Sequence, residues 1–499
     1  MYDSIQLSKA TSYRRTWQLL RPNDNKAGWP RFERFSSSVP TTLSCIVRLA
    51  LLCLASFPVG SFATSSFLFE DTGVLATERA HHTATLLLDG TVLAAGGNTG
   101  LATTATAEIY DPATGIWTPT GSMNQARYRY AATLLQDGRV LVAGGQDDHA
   151  KSLSSTELYD PATGIWTTTG ALVVGTAAHT ATLLPDGRVL VAGGSGNGEG
   201  SLAIAQLYDP ATGVWTQTGS LLTARQRFTA TLLPNGLVLV SGGEGLSAAL
   251  TSAELYDPAT GVWTQTGSMT SARFRHSQTL LLNGLVLVAG GLDAVNMNSI
   301  SNSELYDPAA GTWTTTGSLN VARAQHTATL MPNGLVAVVG GFHGPTPTSE
   351  LYDPATATWS LSGDMIRGRA AHATVLLPSG AILVIAGYNT DQPSSPEFDD
   401  FTLKETEIGT LQAEPPVITI QPKNQRVQVG ETATFRVRAT GTPPLTYQWT
   451  KNGTEIPGAV AAKYTTPPAT AEDDGSLFAV TVSNSGGSVT SRSATLFIR

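Results

Sequence analysis

The chain is built from short runs of alternating apolar and polar residues, a pattern typical of β-strands rather than helices. In one representative stretch, four such runs follow one another at residues 179–184, 188–192, 205–208 and 214–217. The runs are separated by turn signals: a Pro-Asp-Gly step, then a Gly-Gly pair, then an Asp-Pro-Ala-Thr-Gly stretch. The Asp186-Gly187 step suits a tight hairpin that needs positive φ. The pattern therefore predicts four consecutive antiparallel strands.

The same unit recurs about every 49 residues. A Tyr-Asp-Pro phrase begins at Tyr110, Tyr159, Tyr208, Tyr256, Tyr306 and Tyr352. A tryptophan follows each tyrosine by seven positions, at Trp117, Trp166, Trp215, Trp263, Trp313 and Trp359. Glycine doublets begin at Gly96, Gly144, Gly193, Gly242, Gly290 and Gly340. Six copies of three landmarks in a fixed order indicate a repeat protein, and four antiparallel strands per repeat are typical of a propeller blade.

These landmarks resemble the Kelch repeat, in which a Gly-Gly pair precedes a Tyr and a Trp with six residues between them. The resemblance covers roughly residues 67–403 and implies a β-propeller with one blade per repeat. We expect the landmarks to be structural. The aromatic rings would fill the space between adjacent blades, and the glycines would lie where a Cβ atom would clash or where φ is positive.

A seventh unit is divided between the two ends of the repeat region. Residues 372–385 supply two strands, Ala386-Gly387 stands in place of a Gly-Gly pair, and Glu397-Phe-Asp-Asp400 is a degenerate third strand. No Trp follows, but Phe69 aligns with the Trp117 position of the next repeat. The sequence therefore predicts an all-β fold: a seven-bladed Kelch-type propeller closed by an N-terminal strand, which removes the open sheet edges.

A second domain is expected at residues 417–499, after a linker at 406–416 that ends in Glu-Pro-Pro. Its alternating strands resemble an immunoglobulin-like β-sandwich, with Trp449 in the position of the core tryptophan. Val437 and Val480 stand where that family often has paired cysteines. The resemblance therefore implies a sandwich without the disulfide.

Residues 1–63 are predicted to be an N-terminal extension with a signal peptide. A short apolar core at 49–57 follows basic residues, and a small-x-small site ends at Ala63. The core is shorter than the roughly 20 residues that span a bilayer, although an uncleaved anchor remains an alternative. We therefore expect a secreted or cell-surface protein, in contact with a membrane only if the leader is retained as an anchor.

Charge and cysteine content exclude several classes of function. The chain has 30 basic and 38 acidic residues, a formal charge of -8, which argues against a nucleic-acid partner. Its two cysteines are Cys45 and Cys53. Beyond the leader there is thus no disulfide framework, cysteine-ligated zinc site or cysteine nucleophile. Cleavage after Ala63 would leave 22 basic and 35 acidic residues.

Variable loops place the expected binding site on one face of the propeller. The turns between first and second and between third and fourth strands are short and nearly uniform. The loops on the other face differ within this one chain, at 146–152, 195–200, 292–298 and 342–347. Variable loops on a rigid scaffold are where binding usually occurs.

Three arginines on that face are the main ligand-binding candidates. Arg129, Arg227 and Arg275 occupy the same position in three repeats. Their guanidinium groups could reach the channel mouth and bind a carboxylate or a sugar acid. The alternative is that they are solvated loop side chains. His149 and His343, in variable loops, are further candidates for ligand binding.

Two other sets of residues are expected to be structural because they recur in most repeats. Arginines at Arg79, Arg127, Arg225, Arg273, Arg323 and Arg369 are expected to pair with Glu108, Glu157, Glu254, Glu304 and Glu350. Histidines at His82, His179, His276, His326 and His372 begin the first strand of five repeats and are expected to form scaffold hydrogen bonds rather than a metal site.

The leading hypothesis is a monomeric, non-enzymatic binding protein whose loop face binds a protein or a glycan. No catalytic residue, metal ligand or cofactor is assigned. The alternative is a propeller enzyme acting on carbohydrate, because Kelch propellers include the galactose oxidase family, with its copper site and Tyr-Cys crosslink. That crosslink is excluded by the absence of cysteine after residue 53. A lyase or epimerase remains open.

Overall fold

A computed structural model describes residues 66–198, 200–293, 297–342, 347–390, 402–442 and 444–499. The predicted extension and leader at 1–63 lie outside these residues. Six consecutive sheets each contain four antiparallel strands, hydrogen-bonded in chain order. We call these sheets blades I to VI and their strands a to d. No helix in the described ranges has the length and apolar character needed to cross a bilayer.

The strands have nearly identical bounds from blade to blade. The a strands are Thr83–Leu86, Ala131–Leu134, Thr180–Leu183, Thr229–Leu232, Ser277–Leu280 and Thr327–Leu330. The b strands are Val92–Ala95, Val140–Ala143, Val189–Ala192, Val238–Ser241, Val286–Ala289 and Val336–Val339. The c strands are Ala107–Asp111, Thr156–Asp160, Ala205–Asp209, Ala253–Asp257, Ser303–Asp307 and Ser349–Asp353. The d strands are Ile116–Pro119, Ile165–Thr168, Val214–Gln217, Val262–Gln265, Thr312–Thr315 and Thr358–Leu361. Blade III adds a small hairpin, Ser195–Gly196 with Gly200–Ser201.

Blade VII joins the two ends of the propeller, as the sequence predicted. It consists of Arg369–Ala370, Ala373–Leu376, Ile382–Asn389, Thr402–Gln412 and the N-terminal strand Ser66–Asp71. Phe69 lies opposite Gly409, in the register that places Trp117 opposite Tyr110 in blade I. The a strands contact one another in a closed cycle that returns from blade VII to blade I. The seven-bladed ring is therefore closed by the N-terminal strand.

The third strand of blade VII differs from the sequence prediction. The predicted strand at Glu397–Asp400 lies outside the described residues, and the strand that pairs with residues 66–71 is Thr402–Gln412. The propeller thus extends from 66 to 412 rather than from 67 to 403, and only residues 413–416, not 406–416, connect it to the second domain. The true strand was hidden because Gly409 replaces the landmark tyrosine.

The repeated aromatic residues fill the space between blades, as expected. Tyr159 and Trp166 of blade II have ring centroids 5.0 Å apart and pack against Leu87 and Leu93 of blade I. The Tyr159 hydroxyl lies 2.8 Å from Thr120 Oγ1, in the loop leading out of blade I. Burial of these rings removes about 150–250 Å² each from water, so the contact between adjacent blades is mainly hydrophobic.

A buried ion pair, the arginine clamp, fixes the loop that enters most blades. The pairs are Arg79–Glu108, Arg127–Glu157, Arg225–Glu254, Arg273–Glu304, Arg323–Glu350 and Arg369–Glu407. In blade II, Arg127 Nη1 also donates to two backbone carbonyls, and both Glu157 oxygens accept backbone N–H groups of the entering loop. The expected pairing is confirmed, and Glu407 supplies the sixth carboxylate.

Blade III lacks the ion pair but keeps its hydrogen bonds. Thr176 and Gln206 occupy the arginine and glutamate positions. Thr176 Oγ1 donates to the Gly193 carbonyl at 2.7 Å, and the Gln206 amide exchanges two hydrogen bonds with the backbone of Val174, each 3.1 Å long. A neutral pair therefore satisfies the same loop without burying two charges.

The repeated histidines are also scaffold groups. His276, His326 and His372 lie 2.8, 2.9 and 3.0 Å from a hydroxyl on the a strand of the preceding blade. His82 and His179 face blades that have Ala373 and Ala131 at that position, so these two histidines lack the hydroxyl partner. Burial lowers the pKa of His179 to about 4 and the pKa of His326 and of His372 to about 3, with nearby arginines adding to the effect.

The second domain is the expected β-sandwich. Its strands are Val417–Ile420, Gln425–Val427, Thr434–Arg436, Arg438–Thr440, Thr446–Lys451, Thr454–Glu455, Lys463–Thr465, Leu477–Asn484, Gly487–Thr490 and Ala494–Ile498, with one 3-10 turn at Ala471–Asp473. Trp449 is fully buried, and its indole N–H donates to the Ala461 carbonyl. Val437 and Val480 belong to the same core as Trp449, where they contribute apolar volume in place of a disulfide.

Closure by the N-terminal strand predicts a strong effect of Phe69→Ser. Phe69 packs in a core with Met331 and Ala337 of blade VI, so its loss should lower the free energy of unfolding by about 3–5 kcal/mol. Leu68→Ser is the control, because Leu68 is the next residue on the same strand and is 49% exposed. Thermal unfolding of the full chain is the measurement. Unchanged cooperative melting after deletion of residues 64–77 would contradict the closure.

The clamp predicts that Glu304→Gln is more damaging than a double substitution. Glu304→Gln leaves the Arg273 guanidinium buried without a counter-charge, which should cost about 3–5 kcal/mol of unfolding free energy. Arg273→Thr with Glu304→Gln reproduces the neutral pair of blade III and should recover at least half of that loss. Urea denaturation measures both. A double variant no more stable than the single one would show that the clamp is not the cause.

The buried neutral histidines predict a loss of stability in acid. Between pH 6.5 and about 3 the unfolded chain binds protons that the folded chain does not, so stability falls as the pH falls. His326→Phe removes a group whose folded-state pKa is about 3, so it should reduce the fall between pH 6.5 and 4.5 by about 2 kcal/mol relative to the parent chain. Phe228 already occupies the equivalent position in blade IV. Unfolding curves at each pH test this, and an unchanged pH dependence would count against it.

Candidate functional site

The site lies where the seven entering loops meet around the propeller axis. Two positions after the clamp arginine, or its equivalent, each loop contains one residue in the left-handed region: His81, Arg129, Ala178, Arg227, Arg275, Gln325 and Ala371, with φ from 52° to 55°. None is glycine, so each conformation costs about 1 kcal/mol or more. Strain of this kind persists only where the surrounding structure imposes it.

A closed ring of backbone hydrogen bonds imposes that conformation. Each of the seven residues donates its N–H to the carbonyl of the corresponding residue in the preceding blade. Arg129 donates to His81, and the pattern continues around the axis until Ala371 donates to Gln325 and His81 donates to Ala371. The seven N···O distances lie between 2.8 and 3.3 Å. We call this closed set of hydrogen bonds the axial ring. It places the seven side chains at equivalent positions around the propeller axis.

Three of these side chains are the arginines singled out from the sequence. Arg129, Arg227 and Arg275 are half-buried. Burial lowers the pKa of Arg129 and of Arg275, and the three side chains lie close enough that Arg227 adds to the effect on Arg129, while Arg227 and Arg129 add to the effect on Arg275. Arg227 forms a 2.7 Å ion pair with Glu244. Within the part of the chain that the structure describes, Arg129 and Arg275 have no carboxylate partner.

The electrostatics of this cluster favour an anion. Burial is the main cause that lowers the pKa of Arg275, to about 10, and the two neighbouring arginines add to it. A guanidinium with that pKa is still charged at neutral pH. Burial together with the same three arginines holds the pKa of His81 well below its usual value, so its imidazole is neutral. With Glu244 as counter-charge, the mouth carries a net charge of about +2.

Aromatic rings line the other side of the mouth. The Arg129 guanidinium lies over the Tyr128 ring, 5.3 Å from its centroid. Tyr388 of blade VII meets the His81 ring edge-on, with centroids 5.6 Å apart. Arginines offer paired N–H donors to a carboxylate, and aromatic faces offer a surface for an apolar or sugar face. We call Arg129, Arg227, Arg275, Tyr128 and Tyr388 the mouth cluster.

His149 is not part of this cluster. His149 lies in the exposed b–c loop of blade II, where its backbone N–H donates to Asp147. Among the described residues, the groups that act on Arg129 and Arg275 do not include it. His343 lies outside the described residues. Their assignment as ligand-binding residues therefore stays a prediction.

Sequence reasoning missed several members of the site: His81, Tyr128, Tyr388 and Glu244. The repeat held a usable signal. Glu244 follows a Gly-Gly doublet and forms a β-bridge with the residue before Arg227, and Tyr388 follows Ala386-Gly387 and pairs with the residue before Ala371. The residue after each doublet therefore lies beside the axial ring, which alignment of the repeats could have indicated.

Side chains that could bind a metal ion are not grouped together in the described residues. In the described ranges, no three His, Cys, Asp or Glu side chains lie close enough together to hold a metal ion. The only cysteines, Cys45 and Cys53, precede those ranges. The donor set of a copper site with a Tyr-Cys crosslink therefore does not fit the described residues.

Comparisons with known proteins agree with this architecture. Residues 81–291 match the KLHDC2/KLHL20/DRC7 Kelch-repeats domain, and residues 415–492 match the immunoglobulin domain. A decoration protein of Escherichia phage T5 is 53% identical over 60 residues, 12% of this chain and 36% of that protein. Kin of IRRE-like protein 2 of Mus musculus is 39% identical over 59 residues, 12% of this chain and 8% of that protein. The chain thus spans little more than a third of the first relative and less than a tenth of the second.

One solved structure shows a similar fold. A fungal alcohol oxidase of the AA5 family, in complex with copper, aligns with 87% of this chain and 99% of its own at a TM-score of 0.57 and 17% identity. At that identity the likeness concerns the fold alone. The structure of YjhT aligns with 58% of this chain and 99% of its own at a TM-score of 0.47 and 15% identity, a similarity too low to support an argument. The two domain matches, together with the sheets of the structure, show that the chain contains a Kelch-repeat β-propeller followed by an immunoglobulin-like domain.

Proposed function

We propose that the protein is an extracytoplasmic binding protein whose propeller mouth binds a carboxylate-bearing ligand, such as an acidic glycan or an acidic peptide end. The observation that carries the proposal is the meeting of three half-buried arginines on the axial ring, two of them without a carboxylate partner in the described residues. The extracytoplasmic location rests on the leader-like segment at 1–63 and on the absence of cysteine after residue 53.

The energetic argument begins with the cost of the arginine cluster. Three guanidinium groups brought together in a partly desolvated place repel one another, and burial adds to the penalty, as the lowered pKa of Arg275 indicates. A bound carboxylate would remove part of this cost and accept charge-assisted hydrogen bonds, each worth about 1.5–3 kcal/mol. Solvated loop arginines would instead point away from one another.

The geometry favours binding over chemistry. The mouth cluster has cations and rings, but His81 beside it is held neutral by burial and by the same arginines. Glu244, the carboxylate beside the cluster, is paired with Arg227 at 2.7 Å. A general acid–base mechanism needs a group whose pKa is poised near the working pH and that is free to transfer a proton. Binding needs only the charges and the rigid ring.

Carboxylate recognition predicts a ligand preference that substitutions remove. Immobilised glycans that carry a uronic acid should bind better than the same glycans with the carboxylate reduced to an alcohol. Arg275→Ala or Arg129→Ala should each weaken the binding of a uronic-acid oligosaccharide about 10- to 100-fold, the equivalent of one charge-assisted hydrogen bond. Isothermal titration calorimetry gives the dissociation constants.

Arg139→Ala is the matched control. Arg139 is an exposed arginine in the short a–b turn of blade II, on the face opposite the mouth, and it pairs with Asp137. Its loss changes the net charge equally and should leave affinity unchanged. Equal losses of affinity in Arg139→Ala and Arg275→Ala would mean that the ligand is attracted by the net charge of the protein rather than by a site at the mouth. Turnover of a sugar by the purified chain, abolished with the mouth arginines, would favour the enzymatic alternative.

A further inference from the structure

The two domains have opposite net charge. Residues 66–412 contain 14 basic and 29 acidic side chains, a net charge of -15, whereas residues 417–499 contain 8 basic and 5 acidic side chains, a net charge of +3. Positive charge on the immunoglobulin-like domain is therefore a local feature of an acidic protein. Whether this charge forms a binding surface depends on where the basic side chains lie within the domain.

Three of the basic side chains lie exposed on neighbouring strands, Thr434–Arg436, Arg438–Thr440 and Lys463–Thr465. Alternation along the chain buries Phe435 and Val437 in the core and leaves Arg436 and Arg438 exposed. The adjacent strand places Lys463, also exposed, directly opposite Arg436. We call Arg436, Arg438 and Lys463 the basic face.

No acidic residue on the strands that surround the basic face offsets its positive charge. The strands Val417–Ile420, Thr434–Arg436, Arg438–Thr440 and Lys463–Thr465 contain no Asp or Glu. Across the described ranges, none of the three basic side chains takes part in an ion pair. Like charges directly opposite one another on a sheet are destabilising, so the Arg436–Lys463 pair works against folding. The packing of the domain does not require it, because all three side chains are exposed.

The shape and chemistry of the surface indicate an extended ligand. Alternate residues on a strand lie about 7 Å apart and cross-strand neighbours about 5 Å apart. The three cations therefore form a row across neighbouring strands rather than the lining of a pocket. Threonine hydroxyls flank the row: Thr434 and Thr465, which are 3.0 Å apart, and the exposed Thr440. Hydroxyls beside cations suit a sugar chain with repeated acidic groups.

We propose that the basic face binds an acidic polysaccharide, a linear chain with carboxylate or sulfate groups at regular intervals. The net charge of the propeller supports this choice over an anionic membrane. The net charge of -15 on the propeller of the same chain would oppose approach to a broad anionic surface, whereas a thin chain can remain within about 8 Å, one Debye length, of the basic face. This site is separate from the mouth cluster and does not depend on the function proposed for it.

Charge reversal at the face, with a matched control, tests the proposal. Binding of the full chain to polygalacturonate, dextran sulfate and neutral dextran is measured by biolayer interferometry in about 0.05 M NaCl. The two acidic polymers should bind and neutral dextran should not. Arg436→Glu, Arg438→Glu and Lys463→Glu together should weaken binding at least about tenfold. Lys423→Glu, Arg492→Glu and Arg499→Glu change the charge equally at exposed positions elsewhere in the domain, and should weaken it by less than about threefold.

The same measurements contain the results that would overturn the proposal. Equal losses in the two triple variants would mean attraction by net charge rather than by a site. Failure of both acidic polymers to bind would exclude the ligand class. Tighter binding to phosphatidylglycerol vesicles than to either polymer would assign the face to a membrane.

A stability measurement separates ligand binding from a structural role. Arg436→Gln with Lys463→Gln removes the opposed like charges, so the melting temperature should stay the same or rise while polymer binding weakens. A clear fall in melting temperature would show that the side chains serve the fold and would count against the proposal.

Discussion

The buried arginine clamp is the interaction on which the arrangement of the propeller mouth depends. Its guanidinium is nearly inaccessible to water and would be strongly destabilising without a carboxylate partner. The partner glutamate in turn accepts the backbone N–H groups of the entering loop, so one ion pair fixes both the arginine and the chain around it. Two residues further on, the chain reaches the axis. In six blades the position of the axial side chain therefore follows from a buried charge pair, and in blade III it follows from the neutral Thr176 and Gln206 pair.

The axial ring explains why a strained backbone is tolerated in every blade. Each left-handed residue gains one hydrogen bond to its neighbour, and the ring closes only when all seven blades are present. The backbone is thus uniform while the side chains differ: three arginines, two alanines, a histidine and a glutamine. The scaffold determines where these groups lie, and substitution at a few positions can alter what the mouth binds without altering the fold. The clamp in blade III likewise differs in its side chains but not in its backbone, because a neutral Thr–Gln pair preserves the loop.

Both cationic surfaces stand out because the chain is acidic. At the mouth, guanidinium groups are half-buried, close together and beside aromatic rings, which favours a small anionic group held in a defined orientation. On the immunoglobulin-like domain, the cations are exposed, in a row and beside hydroxyls, which favours a longer chain held by several weaker contacts. The difference in burial, rather than in residue type, distinguishes the two proposed ligands.

The sequence alone determined the blade count, the N-terminal closure and the residues of the clamp other than Glu407, because repetition along the chain reveals a periodic role. It also indicated Arg129, Arg227 and Arg275, because they interrupt that regularity. Where the repeat degenerated, the prediction failed: Gly409 replaces the landmark tyrosine, and the third strand of blade VII was misplaced. Only the tertiary structure showed that Tyr128, Tyr388, His81 and Glu244 lie beside the arginines. Tyr128 is next to Arg129 in the chain, and Glu244 belongs to the same blade as Arg227. Tyr388 and His81 come from opposite ends of the propeller, so their proximity to the arginines of other blades arises from closure of the ring, a long-range geometry that a local sequence pattern does not encode.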